Sequence, residues 1–179
     1  MKNIISWSGG KDSTATVILA HQKGLPVDEI LYCEVMYDRI RGISGELSEH
    51  AKFVRETATP RFEQWGYKVT TVRAEKDFLD LVMAMKELGW QFEVMYCYFV
   101  SGMCTFVDDI KRRTLDAYKK TLGEYVEYVG IAAEETGRLG RLKQNQRSLL
   151  AECGLTERDA RQLCAQEGLL SPIYNKEEK

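Results

Sequence analysis

Ser8-Gly9-Gly10-Lys11-Asp12-Ser13-Thr14 combines residue types that suit the binding of a phosphorylated ligand. Two adjacent glycines let the backbone turn sharply and approach a ligand closely. A helix starting near Asp12 would aim free N–H groups and the positive end of its dipole at that turn. Ser8, Ser13 and Thr14 add hydroxyls, and Lys11 adds a positive charge. Together they form an anion cradle sized for a phosphate or pyrophosphate. The segment is not a Walker A loop. Ile5 stands where that motif needs its first glycine, and Asp12 stands where it needs a Ser or Thr for magnesium. The dinucleotide pattern G-x-G-x-x-G is absent as well. The plain structural alternative is a solvent-facing turn capped by Asp12, and its position after an apolar run weighs against that.

The elements around this segment alternate. Asn3 to Trp7 is a short apolar run that reads as a buried strand entering the turn. Asp12 to Lys23 carries apolar residues at helical spacing and stops at Gly24 and Pro26. Glu29 to Met36, Tyr67 to Arg73 and Tyr125 to Ala132 read as further strands. Ser48 to Trp65 reads as a helix that Pro60 should break or kink. Asp77 to Leu88 and Val107 to Leu122 read as helices, and Glu134 to Gln146 as a basic helix or loop. Thr156 to Glu167 reads as a helix with a capping pattern at Thr156 and Asp159. Residues 90–106 have no clean period and read as a loop or lid. Strands alternating with helices predict an α/β fold, with a mostly parallel sheet that binds ligands beyond the carboxyl ends of its strands.

On these residues the sequence resembles the PP-loop, or adenine nucleotide alpha hydrolase-like, superfamily, and within it the phosphoadenosine phosphosulfate (PAPS) reductase family. The loop carries the wider likeness. Tyr32 to Asp38, Tyr128 to Glu135 and Ser148 to Tyr174 (ending in Gly-Leu-Leu-Ser-Pro-Ile-Tyr) carry the narrower one. The resemblance implies a Rossmann-like three-layer α/β/α domain with a five-stranded sheet. It covers residues 1–179 as a single nucleotide-binding domain, with 148–179 as a C-terminal helical extension. It implies ATP or PAPS across the first and fourth strands, Mg²⁺, and an unnamed second substrate. The implied nucleotide-binding residues are Ser8, Gly9, Gly10, Lys11, Asp12, Ser13, Thr14, Gly130, Glu134 and Arg138. Lys11 and Asp12 are the expected catalytic residues, with Lys111 and Cys153 behind them. Gly130 would be a close-approach glycine beside the adenosine.

Three functions follow as expectations. One is an ATP pyrophosphatase that releases pyrophosphate to activate a substrate, with sulfur transfer as one use. The second is a PAPS reductase-like enzyme, and the third a nucleotide-binding subunit without turnover. The reductase reading needs a thiolate nucleophile in a Glu-Cys-Gly-[Leu/Ile]-His segment. Glu152-Cys153-Gly154-Leu155 begins that pattern, but Thr156 replaces the His and the segment runs into the capped helix, so Cys153 reads better as a helix-end residue.

The 179 residues are 44% hydrophobic and 29% charged, which suits a packed globular core. The net charge of −2 excludes bulk nucleic-acid binding by charge alone. Two basic stretches, Lys111-Arg112-Arg113 and Arg138 to Arg147, leave nucleic acid open as a partner. No membrane span or secretory signal is legible, so a cytoplasmic location is expected, as a homo-oligomer or a subunit of a complex. Five cysteines include no Cys-x-x-Cys pair, so neither a metal site nor an iron–sulfur cluster is expected. His21 and His50 read as surface residues. Trp90, Phe92, Tyr96, Tyr98 and Phe99 read as core or interface, or as a surface for stacking a base.

Overall fold

The computed structural model describes residues 1–89 and 105–176. Strand β1 (Lys2–Trp7) is apolar and runs through the middle of a five-stranded sheet. It pairs in parallel with β2 (Glu29–Glu34) on one side and with β6 (Tyr125–Val129) on the other. Strand β5 (Val69–Arg73) flanks β2, and the two-residue β7 (Gln146–Arg147) runs parallel to β6 at the opposite edge. The order is therefore β5-β2-β1-β6-β7. A separate antiparallel pair joins β3 (Met36–Asp38) to β4 (Ile43–Ser44). The α/β fold with a parallel sheet is as expected. Its fifth strand lies in the stretch that the sequence presents as a basic helix or loop.

Helix α1 (Lys11–Gln22) follows β1 after three residues, and its residues Ser13 to Ala20 are all buried. A helix buried around its circumference needs cover on more than one side. The C-terminal segment supplies part of it. Leu149 and Leu150 of α7 (Leu149–Glu152) and Ala160 and Cys164 of α8 (Glu157–Gln166) join Ile5, Trp7, Val17 and Ile18 in one core. Between α1 and β6 come α2 (Ser48–Phe53), α3 (Thr59–Gln64), α4 (Phe78–Glu87) and α5 (Thr105–Lys120). The short α6 (Thr136–Leu139) follows β6.

Pro60 does not break the helix it interrupts. The turns before it widen into a π-helix over Val54–Ala58, and Pro60 then falls in the first turn of α3. The widened turn keeps the chain helical up to Pro60, whose ring and missing N–H an ordinary α-helical turn would not accommodate. The capping box at Thr156 forms as read, with Asp159 answering it, and a second one forms at Asp77 and Asp80.

The chain divides into two compact units. One contains residues 1–32, 49–71 and 121–179, and the other residues 33–48 and 72–120. The aromatic stretch at residues 90–99, with Cys97 and Cys104, lies outside the described residues. Among the described residues, no helix is long and apolar enough to cross a membrane.

Candidate functional site

The site forms where the sheet changes direction. The chain leaves β1 toward β2 on one side and returns to β6 on the other, so a crevice opens beyond the carboxyl ends of β1 and β6. Ser8, Gly9 and Gly10 form the turn there. Gly9 has φ +80°, a conformation that favours glycine. A side chain is also barred by space, because a Cβ on Gly9 would lie 2.7 Å from the His50 ring.

Ser13 staples the turn. Its hydroxyl donates to the Gly10 carbonyl and accepts the Ser8 N–H, both at 3.1 Å. Its Oγ also lies 3.1 Å from Ser8 Oγ, which accepts the Gly10 N–H at 3.3 Å. Gly10 is the N-cap residue of α1 and makes no side-chain cap; the N–H of Lys11, the first residue of the helix, is taken by the Tyr174 hydroxyl at 3.1 Å.

A cavity of about 480 Å³ opens beside this turn, within the range of small-ligand sites. Ser8 and Ser13 line it, together with Arg138, Arg141 and Leu142. Val129, Gly130 and Ile131 bring in the end of β6. Ser6 and Gln146 also line it, and both are tied to the buried carboxylate of Glu127.

The expected site residues divide. Ser8, Ser13, Gly130 and Arg138 line the cavity, with Gly9 and Gly10 in the turn beside them. Thr14 is fully buried, and its hydroxyl takes the Trp7 indole N–H at 2.9 Å, so it holds β1 to α1. Gly130 is a close-approach glycine, but toward protein. A Cβ there would lie 2.4 Å from the Ser13 amide nitrogen. Glu134 accepts the Glu157 N–H at 2.9 Å and so caps α8. Glu135 accepts the Ala132 N–H and pairs with Arg138, which together hold its carboxyl below the usual range against the opposing effect of burial.

Lys11 does not extend freely into the turn. Its ammonium is 2.7 Å from Glu157 and 2.9 Å from Asp12. Burial works against the charge, but the two carboxylates outweigh it and the pKa rises to about 12. Burial also raises the Asp12 pKa, despite Lys11. Asp12 Oδ1 is buried without a hydrogen-bond partner. Lys111 belongs to the other unit, where it pairs with Glu46. Cys153 is the C-cap residue of α7 and packs against the core, as the helix-end reading expects.

Two participants were not legible as such. Arg141 was only one of four basic residues in a stretch. His50 is buried, not on the surface, with Nε2 3.3 Å from the Ser8 carbonyl and Nδ1 2.8 Å from Ser171 Oγ. Only a donor suits a carbonyl, so in the tautomer that fits these partners Nε2 carries the proton and Ser171 donates to Nδ1.

No family model matches the chain, and no curated protein sequence does. Among solved structures it is similar to the U34-tRNA thiolase NcsA from Methanococcus maripaludis, with its [4Fe-4S] cluster. The TM-score is 0.55 at 19% identity, over 94% of this chain and 57% of the thiolase. The likeness is one of fold, an α/β domain built on a parallel sheet. This chain therefore spans little more than half the length of the thiolase it matches.

One expectation needs correcting. The thiolase carries an iron–sulfur cluster, which overturns the exclusion of one drawn here from cysteine spacing. Spacing is a poor ground for exclusion, because a fold can gather cluster ligands from distant positions, and Cys97 and Cys104 lie outside the described residues. Among the described residues, no group of three or more His, Cys, Asp or Glu side chains could hold a metal ion.

Proposed function

We propose that this chain binds ATP with Mg²⁺ and cleaves it between the α- and β-phosphates, activating a second substrate for sulfur transfer. The observation that carries this reading is the cavity of about 480 Å³ at the switch point, lined by Ser8 of the turn, Ser13 of the first turn of α1, Arg138 and Arg141. Adenosine would occupy the cavity, and the leaving pyrophosphate would lie on the turn and the first helical N–H groups. Arg138 and Arg141 would face phosphate oxygens, which suit guanidinium forks.

Attack by a nucleophilic oxygen of the substrate on the α-phosphorus forms the new P–O bond. The α–β bridging bond breaks, and pyrophosphate leaves with the electron pair. A sulfur donor can then displace AMP from the activated substrate. Fixed N–H donors at the turn stabilise the charge gathering on pyrophosphate.

The donor set fits Mg²⁺. This hard cation takes one or two carboxylates together with phosphate oxygens, and Asp12 Oδ1 is a buried carboxylate oxygen without a partner. Asp12 would hold the ion, whose charge would offset that of the departing phosphates. A nucleic-acid base is the first substrate class to screen, since the similar thiolase acts on tRNA. A PAPS reductase reading needs a thiolate at the cavity, and Cys153 packs on the core instead.

Calorimetric titration with ATP, AMP and PAPS, with and without Mg²⁺, tests the proposal. ATP should bind best, with a dependence on Mg²⁺ that Asp12→Asn removes. Binding of PAPS alone would contradict it.

A further inference from the structure

A buried carboxylate backs the cavity. Glu127 on β6 is 4% exposed. A carboxylate so placed needs donors, and two of those it takes come from side chains that line the cavity. Ser6 Oγ on β1 donates to Oε1, and Gln146 Nε2 on β7 donates to Oε2 at 2.9 Å. The sheet register explains the grouping. Glu127 stands beside Ile4 on one side and Gln146 on the other, and Ser6 shares the face of Ile4 two residues on. The three side chains therefore sit on one face of the sheet, across three adjacent strands.

Glu127 sets what the other two offer a ligand. An ionised carboxylate only accepts. The one hydroxyl hydrogen of Ser6 is committed to it, and Ser6 Oγ has only lone pairs left for the cavity. The Gln146 amide is fixed at both ends, since its Oε1 accepts the Lys143 N–H at 3.0 Å. Its second Nε2 hydrogen has no partner among the described residues. The cavity thus offers an acceptor on β1 and a donor on β7, with apolar lining from Val129 and Leu142.

We infer that Ser6 and Gln146 select the base of the nucleotide, with Ser6 Oγ accepting from an exocyclic amino group and Gln146 Nε2 donating to a ring nitrogen. The inference rests on the ATP reading above and gives it a means of telling bases apart, with Glu127 as a positioning residue. Adenine carries an amino donor next to an unprotonated ring nitrogen. A 6-oxopurine carries the reverse, an oxo acceptor next to a ring N–H. Its oxygen would face the Ser6 lone pairs and its N–H would face that of Gln146. Mismatched polar groups that stay unpaired discriminate more strongly than a small difference in size.

Inosine triphosphate tests this, because it exchanges the 6-amino group of ATP for an oxo group and keeps the ribose and phosphates. ATP·Mg²⁺ and inosine triphosphate·Mg²⁺ are titrated into wild type, Ser6→Ala and Glu127→Gln, with thermal melts to confirm folding. Wild type should prefer ATP by about tenfold or more. Ser6→Ala should bring the two affinities within about threefold, mainly by weakening ATP. Glu127→Gln should tighten inosine triphosphate, since the Ser6 hydroxyl is then free to donate to the oxo group. If wild type binds neither triphosphate, the ATP reading fails and this inference fails with it. If wild type binds both equally, or if Ser6→Ala keeps the wild-type preference, only this inference fails. Gln146→Ala, on the edge strand, removes the second contact and should narrow the same ratio. An unchanged ratio there would overturn the inference even where the two other variants do not fold.

Discussion

Gly130 and Lys11 show how differently the site treats two residues that the sequence groups together. Gly130 lets β6 run against the first turn of α1, and a methyl group there would meet the Ser13 backbone at 2.4 Å. Neither backbone can give way without moving a strand or a helix. Gly130→Ala should therefore destabilise the protein by about 1–3 kcal/mol, the usual cost of overpacking. Chemical denaturation measures it, and an unchanged midpoint would mean that the two elements are not in contact. Lys11 is held by Glu157 and Asp12. A phosphate must compete with those carboxylates for it. Glu157 is half exposed, so its pull is screened. Glu157→Gln should raise ATP affinity by about two- to fivefold, within the range of a surface ion pair. Weaker binding would show instead that Glu157 positions Lys11 for the ligand.

At the scale of elements, the strand–turn–helix unit was legible because its signals are local. An apolar run, two glycines and an unbroken helical stretch lie within Asn3 to Lys23. The capping box at Thr156 was legible for the same reason. Thr156→Ala should cost about 1 kcal/mol, read from the shift in thermal midpoint. What escaped was set by distance in sequence. Strand β7 is two residues long and exists because β6 offers it an edge. The burial of His50 depends on Ser8 and Ser171, 42 and 121 residues away. The hydrogen bond from the Lys11 N–H to the Tyr174 hydroxyl spans 163 residues. Burial also governs thiol chemistry. Burial raises the pKa of Cys164 to about 12 and of Cys33 to about 11. Both should stay protonated at pH 8 and resist iodoacetamide in the folded protein, then react on denaturation. Mass-spectrometric mapping decides it, and rapid native labelling of Cys164 would contradict the packing of α8 on α1.

In the whole molecule, the sheet and the C-terminal helices converge on one crevice. The sheet order places the turn after β1 beside the end of β6, and the C-terminal helices lock α1 so that its N-terminus keeps facing the turn. Composition and motif carried the fold class, because alternation of strands and helices is written along the whole chain. They did not carry the division of labour around the loop, where Thr14 turns into the core and Glu134 caps a helix. They did not settle the iron–sulfur question either, since cluster ligands need not be close in sequence. The central claim is that the phosphates of ATP lie on the turn at Gly10. The most direct measurement is calorimetric titration of ATP·Mg²⁺ into wild type and Gly10→Ala. The substitution suits the local backbone, and its methyl group would press on the hydroxyls of Tyr174 and Ser8 at 3.2 and 3.3 Å, on the face of the turn where the phosphates are placed. Wild type should bind, and the folded variant should lose most of its affinity. Equal binding by both proteins would place the phosphates elsewhere and contradict the claim.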